Sequence, residues 1–150
     1  MKLSFRPATD ADDEFAFELR KATEHDLVTQ TFGWDEALQR ALHRQEWKSG
    51  LPTLICADDQ PIGTYMLHDK NDTLYFSRFF ILPAYQGQGI GSQVLRDITE
   101  FSNQAKRPCL LCYLQGNRAA HLYQRFGFQV YREDAPFVYM KYSPVSHTAP

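Results

Sequence analysis

Apolar positions along the 150-residue chain switch between two periods, and the switches divide it into strands and helices. Leu3-Ser4-Phe5-Arg6 alternates apolar with polar, the two-residue period of a half-buried strand, and Pro7 ends it. Thr9 or Asp10 then offers a helix cap, and Asp12, Asp13 and Glu14 suit the positive end of a helix dipole. Phe15, Leu19 and Ala22 form the apolar face of that helix, with Phe17 off it. The segment 29–33 fits neither period. From Trp34 onward, Ala37, Leu38, Ala41 and Leu42 recur at helical spacing, which predicts a second amphipathic helix reaching about Lys48 and stopping at Gly50.

Strand-type runs at 53–57 and 62–67, joined by Asp58-Asp59-Gln60-Pro61, predict a hairpin. A second turn at 68–72, with His68 solvated, leads into a long strand over 73–82. Ile90, Val94, Leu95, Ile98, Phe101 and Ala105 form one face of a third helix. A buried strand at 109–114, a short helix at 117–126 ended by Gly127, and two closing strands at 128–133 and 137–142 follow. Residues 143–150 carry no period and read as a loose tail.

Between the 73–82 strand and the third helix lies Pro83-Ala84-Tyr85-Gln86-Gly87-Gln88-Gly89-Ile90-Gly91-Ser92. A glycine-rich turn opening a helix is an anion cradle: the first N–H groups of a helix have no intrahelical partner, and the dipole adds positive potential. Glycine at 87, 89 and 91 lets a phosphate approach the backbone. A nucleotide-triphosphate loop is excluded because no lysine lies between Lys70 and Lys106. A Rossmann fingerprint is excluded because position 92 is serine where its third glycine would stand. The bland alternative is a tight strand-to-helix turn with no ligand.

Gln86, Gly89 and Gly91, with Pro83 before them, resemble the Gln/Arg-x-x-Gly-x-Gly/Ala motif of the GNAT superfamily of acyl-CoA-dependent N-acyltransferases. A second motif of that family, Asn-x-Ala-x-x-x-Tyr-x-x-x-Gly-Phe, is matched from Asn117 through Ala119 and Tyr123 to Gly127-Phe128. The resemblance implies an α/β (α+β) fold: one GNAT-type domain over 1–142 with a mixed, mostly antiparallel sheet, a central V-shaped splay and flanking helices. It implies acetyl-CoA as cofactor, held by Phe79, Phe80, Ile81, Gln86, Gly87, Gln88, Gly89, Ile90, Gly91, Ser92, Asn117 and Tyr123. A backbone N–H near Ile81 would stabilise the oxyanion. Asn117 is equally a simple helix cap.

Tyr123, a phenol protonated at neutral pH, is the expected proton donor to the departing thiolate; its alternative role is packing. The acceptor amine poses the opposite problem, because an alkylammonium with a pKa of about 10.4 costs about 4 to 5 kcal/mol to deprotonate at pH 7. Family enzymes often place a glutamate on the strand before the glycine loop, but Tyr75, Ser77 and Arg78 stand there. Glu36, Asp35 or His25 acting through water are the remaining candidates, Glu36 foremost. His25, Phe32, Trp34, Asp35 and Glu36 are expected to contact the acceptor, the aromatic rings walling a site for a cation. Asp35 and Glu36 could equally be first-turn residues matched to the helix dipole.

Composition narrows the partners. The sequence is 43% hydrophobic and its net charge is −2, which suits a folded domain with no electrostatic attraction for nucleic acid. A small-molecule or peptide amine is therefore the expected partner, and a homodimer is allowed. Cys56, Cys109 and Cys112 read as core thiols in a reducing compartment, and no metal is expected because Cys109 and Cys112 have no facing ligand pair. No apolar run approaches a membrane span, so a cytoplasmic location is expected. The alternative to an N-acetyltransferase is a non-catalytic acyl-CoA-binding regulatory module that keeps the cradle without turnover.

Overall fold

The computed structural model of the chain describes residues 1–146. They form two compact units, Met1–Met66 with Arg78–Gln86, and Leu67–Ser77 with the chain from Gly87 onward.

The first unit contains β1 (Leu3–Pro7), a 3-10 turn at Asp10–Asp12, α1 (Asp13–Thr31), α2 (Glu36–Ser49) and β2 (Thr53–Ala57). It also holds the first part of β3 (Gln60–Lys70) and the last part of β4 (Thr73–Ile81). Its strands follow the order β1-β2-β3-β4. β1 runs antiparallel to β2, from Leu3 opposite Ala57 to Pro7 opposite Thr53. Ala8, Leu54 and Cys56 form a buried cluster against which Phe15 and Trp47 pack. Gly63 of β3 lies so close to β4 that a Cβ there would stand 2.5 Å from the Phe80 carbonyl oxygen.

Both helices of this unit depart from the sequence reading. In α1 the most buried side chains are Phe17 and Leu19, while Phe15 is half-buried and Ala22 exposed. The helix also runs on through Thr31, across the stretch that fitted neither period. In α2 the predicted apolar face points outward: Ala37, Leu38, Ala41 and Leu42 are all exposed. Its inward face is polar, with His43 buried and Glu46 and Trp47 half-buried. The reason is the partner, because α1 offers α2 charges. Lys21 pairs with Glu36 at 2.9 Å, Arg40 with Glu14 at 3.0 Å, His43 with Asp13, and Arg20 with Glu46.

Arg78 fastens α2 to β4. Its φ of 51° breaks the regular strand, and its side chain is only 12% exposed. The guanidinium donates to the Gly50 carbonyl at 2.9 Å and to the Glu46 carbonyl at 2.9 Å, the latter also accepting from the Gly50 N–H at the end of α2. Burial lowers its pKa from the usual arginine value, with the Glu46 carboxylate opposing that shift.

The second unit contains the remaining parts of β3 and β4, α3 (Ile90–Ala105), β5 (Cys109–Leu114), α4 (Ala120–Arg125), β6 (Gln129–Asp134) and β7 (Phe137–Tyr142). Here the strand order is β3-β4-β5-β7-β6. β4 and β5 are parallel, whereas β5 with β7 and β6 with β7 are antiparallel, which gives the mixed, mostly antiparallel sheet the motifs implied. The parallel register covers Leu74 opposite Cys109 and Tyr75 opposite Leu110, while β5 stays paired with β7 as far as Leu114. That short ladder is what a splay requires.

On α3, Ile90, Val94, Leu95 and Ile98 are buried as predicted, but Phe101 is 46% exposed, and Thr99 and Ser102 complete the buried stripe. Their hydroxyls donate to the carbonyls of Leu95 and Arg107, which removes the penalty for burying them. His68 belongs to β3 with its ring 6.4 Å from Tyr75, not to a solvated turn. Of the predicted loose tail, Val145 is held by its N–H on Asn103 Oδ1 at 2.7 Å; residues 147–150 lie outside the described residues.

Replacing Arg78 by alanine should leave the Gly50 carbonyl without this donor and remove one of the two cations beside the Glu46 carboxylate. The expected loss is about 2 kcal/mol, or roughly 4 to 8 °C in Tm, measured by calorimetry. An unchanged Tm would reduce Arg78 to a surface residue.

Candidate active site

In the first unit, β4 ends in Phe79, Phe80 and Ile81, and Leu82 N–H bonds the Ile62 carbonyl at 2.8 Å. Pro83–Tyr85 forms a 3-10 turn, after which the Gln86 side-chain amide donates back to the Ile81 carbonyl at 2.9 Å. Gln86 thus braces the end of the strand. The Arg20 guanidinium lies 5.5 Å from the centre of the Phe80 ring, and Arg20, Glu46, Thr64 and Arg78 line a small cavity with that ring.

The predicted acceptor residues of this unit separate into three groups. His25, Trp34 and Glu36 come together: the His25 and Trp34 rings are 4.9 Å apart, and Trp34 Nε1 reaches toward Glu36 at 3.5 Å. Asp35 is the α2 cap, its carboxylate accepting the Leu38 N–H at 3.1 Å. Phe32 is 61% exposed. Hydrogen bonds from Lys21 hold the Glu36 carboxyl below the usual carboxylate range, which suits a fixed charge and not a base.

The sequence reading missed Glu24. It stands one turn beyond Arg20 on α1 and is half-buried. Burial pushes its carboxyl above the usual range, with Arg20 drawing it back. No hydrogen bond to this carboxylate exists among the described residues. Only its spacing of four from Arg20 marked it in the sequence.

In the second unit the glycine turn takes the conformation its residues permit. Gly87 and Gly89 have φ of 76° and 85°, and a Cβ on either would meet nothing within 4 Å. Glycine is therefore needed there for backbone conformation, and the space above the turn is open. The first helical bond of α3 runs from Gln93 N–H to the Gly89 carbonyl at 3.1 Å, so the N–H groups of Ile90, Gly91 and Ser92 have no intrahelical partner. Arg125, also missed, places its guanidinium 3.2 Å from Ser92 Oγ and adds a cation. These donors, this cation and this opening fit a pyrophosphate.

Asn117 Oδ1 accepts the Ala119 N–H at 2.8 Å in the turn before α4, whose cap position is Ala119 and not Asn117, and leaves the amide N–H donors for another acceptor. Tyr123 is 5% exposed, its ring 5.8 Å from Tyr113 and 6.0 Å from Phe128. The three cysteines are unpaired, and burial pushes the Cys109 thiol up to about 12. Among the described residues no cluster could hold a metal ion, and no helix is long and apolar enough to cross a membrane.

A mixed sheet with one parallel junction, followed by a glycine turn at a helix start, defines an acyl-CoA-type transferase domain. Residues 50–130 match the acetyltransferase (GNAT) domain family. The chain belongs to that family of acetyl-CoA-dependent N-acetyltransferases, and the resemblance of its two motifs is borne out. It is 38% identical to the spermine/spermidine N(1)-acetyltransferase of Bacillus subtilis (strain 168), over 51% of this chain and 68% of that protein. Its fold is similar to the PaiA N-acetyltransferase of Thermoplasma acidophilum in complex with coenzyme A, with TM-score 0.75 and 18% identity over 95% and 99% of the two chains. It is also similar to a GNAT family acetyltransferase of Staphylococcus aureus, with TM-score 0.73 and 14% identity over 95% and 99%.

Acetyl-CoA at 100 times its Kd should stabilise the protein by about 2.7 kcal/mol, a visible rise in Tm. Gly89→Glu strains the positive φ and puts a carboxylate where the phosphates would sit, so it should abolish the rise. A Gly89→Glu protein with the native thermal shift would move the phosphates elsewhere.

Proposed function

We propose that the chain transfers an acetyl group from acetyl-CoA to a primary amine of a polyamine-like polycation, by direct attack in a ternary complex. The observation that carries this reading is the half-buried Glu24 carboxylate without a hydrogen-bond partner, next in sequence on α1 to His25, whose ring meets Trp34. A half-buried carboxylate that only Arg20 attracts, with no hydrogen bond, favours a further cation beside it. The Bacillus relative, whose name gives polyamines as its acceptors, supports the same class.

Each residue then has a defined task. The N–H groups of Ile90, Gly91 and Ser92, with Arg125, hold the pyrophosphate; Phe79 to Ile81 and the Asn117 amide hold the pantetheine arm. Acetyl-CoA supplies the activated acetyl thioester. Glu24 would accept a proton from the acceptor ammonium, leaving a free amine nitrogen to attack the thioester carbon; the adduct would then lose the thiolate, and the surplus proton on the new amide nitrogen would restore the Tyr123 phenol. Tyr123 donates its phenolic proton to the leaving sulfur. Glu36, fixed as an anion by Lys21, attracts a second ammonium of the polycation beside the Trp34 face. The unpaired thiols fit a cytoplasmic location.

Tyr123→Phe keeps the ring packing and removes the proton donor. Turnover should fall by roughly 10²- to 10⁴-fold with acetyl-CoA affinity little changed; equal turnover would leave Tyr123 a packing role.

Glu24 works as a base only when ionised, so kcat/KM should decline as pH falls through its raised pKa. Glu24→Gln should lower kcat/KM for spermidine by roughly 10²-fold or more and erase that acidic limb, with the acetyl-CoA thermal shift intact. A wild-type protein that acetylates amino acids or peptides and ignores polyamines would overturn the substrate class. A Glu24→Gln protein with the native pH profile would overturn the base alone.

A further inference from the structure

On α1, Arg20 and Glu24 stand four residues apart on one face of the helix, a spacing at which opposite charges ordinarily pair. They do not pair: no ion pair or hydrogen bond to Glu24 exists among the described residues. The Arg20 guanidinium turns instead to α2, donating from Nη2 to Glu46 Oε2, and its Cζ lies 5.5 Å from the centre of the Phe80 ring on β4. Its side chain is 15% exposed, so this choice of partner is made where charges attract more strongly than in open water.

Glu46 Oε2 is shared. Arg78 Nε of β4 stands 3.6 Å from the same oxygen, so two guanidiniums divide one carboxylate and leave positive charge in excess. His43, the other titratable group lining the cavity beside them, turns its Nε2 to Asp13 of α1. One turn along α1 is Glu24, and Arg20 is the cation whose field reaches it. Attraction from a guanidinium held elsewhere leaves the carboxylate open. Direct contact would close it, because a guanidinium seated on Glu24 would take the place of an acceptor ammonium and hold the carboxylate ionised. The cavity itself, about 20 Å³, has room for water and not for a polyamine, so Glu46 acts through Arg20 and not on the acceptor.

We propose that Glu46 is a positioning residue for the acceptor site: it holds the Arg20 guanidinium on α2, against the Phe80 ring, and so keeps the Glu24 carboxylate open to an ammonium. The inference rests on the reading of Glu24 as the base, yet the hold on Arg20 is measurable without substrate.

Carbon-13 NMR of the Glu24 side-chain carboxyl in the full chain reads it directly. In Glu46→Ala the released guanidinium should reach Glu24, and the pH midpoint of the Glu24 titration should fall by roughly half a pH unit or more. Glu46→Gln, which keeps the shape and removes the charge, should move it in the same direction. Arg20→Met should raise the midpoint, and the Arg20→Met/Glu46→Ala double variant should match Arg20→Met, because Glu46 then has no cation to hold. In Glu46→Ala, kcat/KM for spermidine at pH 7 should fall by roughly tenfold as the guanidinium competes with the ammonium. Retained acetyl-CoA thermal stabilisation shows that the variants are folded. A midpoint that Glu46→Ala leaves in place, or lowers equally when Arg20 is absent, would overturn the proposal. Failure of the base reading looks different: the midpoints move as stated while Glu24→Gln keeps the native pH profile of turnover, so that the hold on Arg20 stands and the base alone falls.

Discussion

The first unit depends on a contact between two helices made mostly of charge. Lys21, Arg40, His43 and Arg20 each reach a carboxylate on the opposite helix. Exposed pairs of this kind contribute at most about 1 kcal/mol each, so they cannot be the main source of stability. Their effect is orientational, because an ion pair is satisfied at one rotation of the helix and broken at the next. The Arg20 and Arg78 side chains, 15% and 12% exposed, converge on Glu46, and this least solvated part of the network fixes α2 on β4. Charge therefore decides which side of α2 faces inward, and the apolar stripe takes what is left.

That inversion explains where sequence and structure part. Periodicity reports that α2 is amphipathic, and it is; it cannot report which face is inside when the inward face is held by Arg40, His43 and Glu46. The same blindness affected α1, where Phe17 is fully buried although the spacing of Phe15 and Leu19 assigned it elsewhere. Where burial was conventional, as for Ile90, Val94, Leu95 and Ile98 of α3, the pattern read correctly. Phe101 failed there because the hydroxyls of Thr99 and Ser102, satisfied by the nearby carbonyls of Leu95 and Arg107, can be buried in its place.

The cofactor motif was legible because its requirements are local. Gly87 and Gly89 are set by backbone dihedrals, and the start of α3 by the turn before it, so a few neighbouring letters specify the cradle. Gly63 has the opposite character. Its sequence neighbours say nothing special, yet a side chain there would strike the Phe80 carbonyl, a constraint that exists only once β3 lies on β4. Arg125 was hidden for the same reason: its value comes from Ser92, distant in sequence.

The carboxylates carry this argument into the chemistry. A sequence presents Glu24, Asp35 and Glu36 as equivalent anions near the end of one helix and the start of the next. Position makes them three different groups. Asp35 is consumed as a cap by the Leu38 N–H. Glu36 is stabilised as an anion by Lys21, which makes it a poor acceptor of protons and a durable charge. Glu24 is half-buried and has no hydrogen bond, and the pull of Arg20 opposes the upward shift that burial gives its carboxyl. A base must hold its proton loosely enough to release it and tightly enough to take it from an ammonium, and a raised carboxyl pKa moves toward that condition while a lowered one moves away. Environment thus separates carboxylates that residue type and adjacency to Trp34 leave alike, because burial raises the proton affinity of Glu24 while Lys21 lowers that of Glu36.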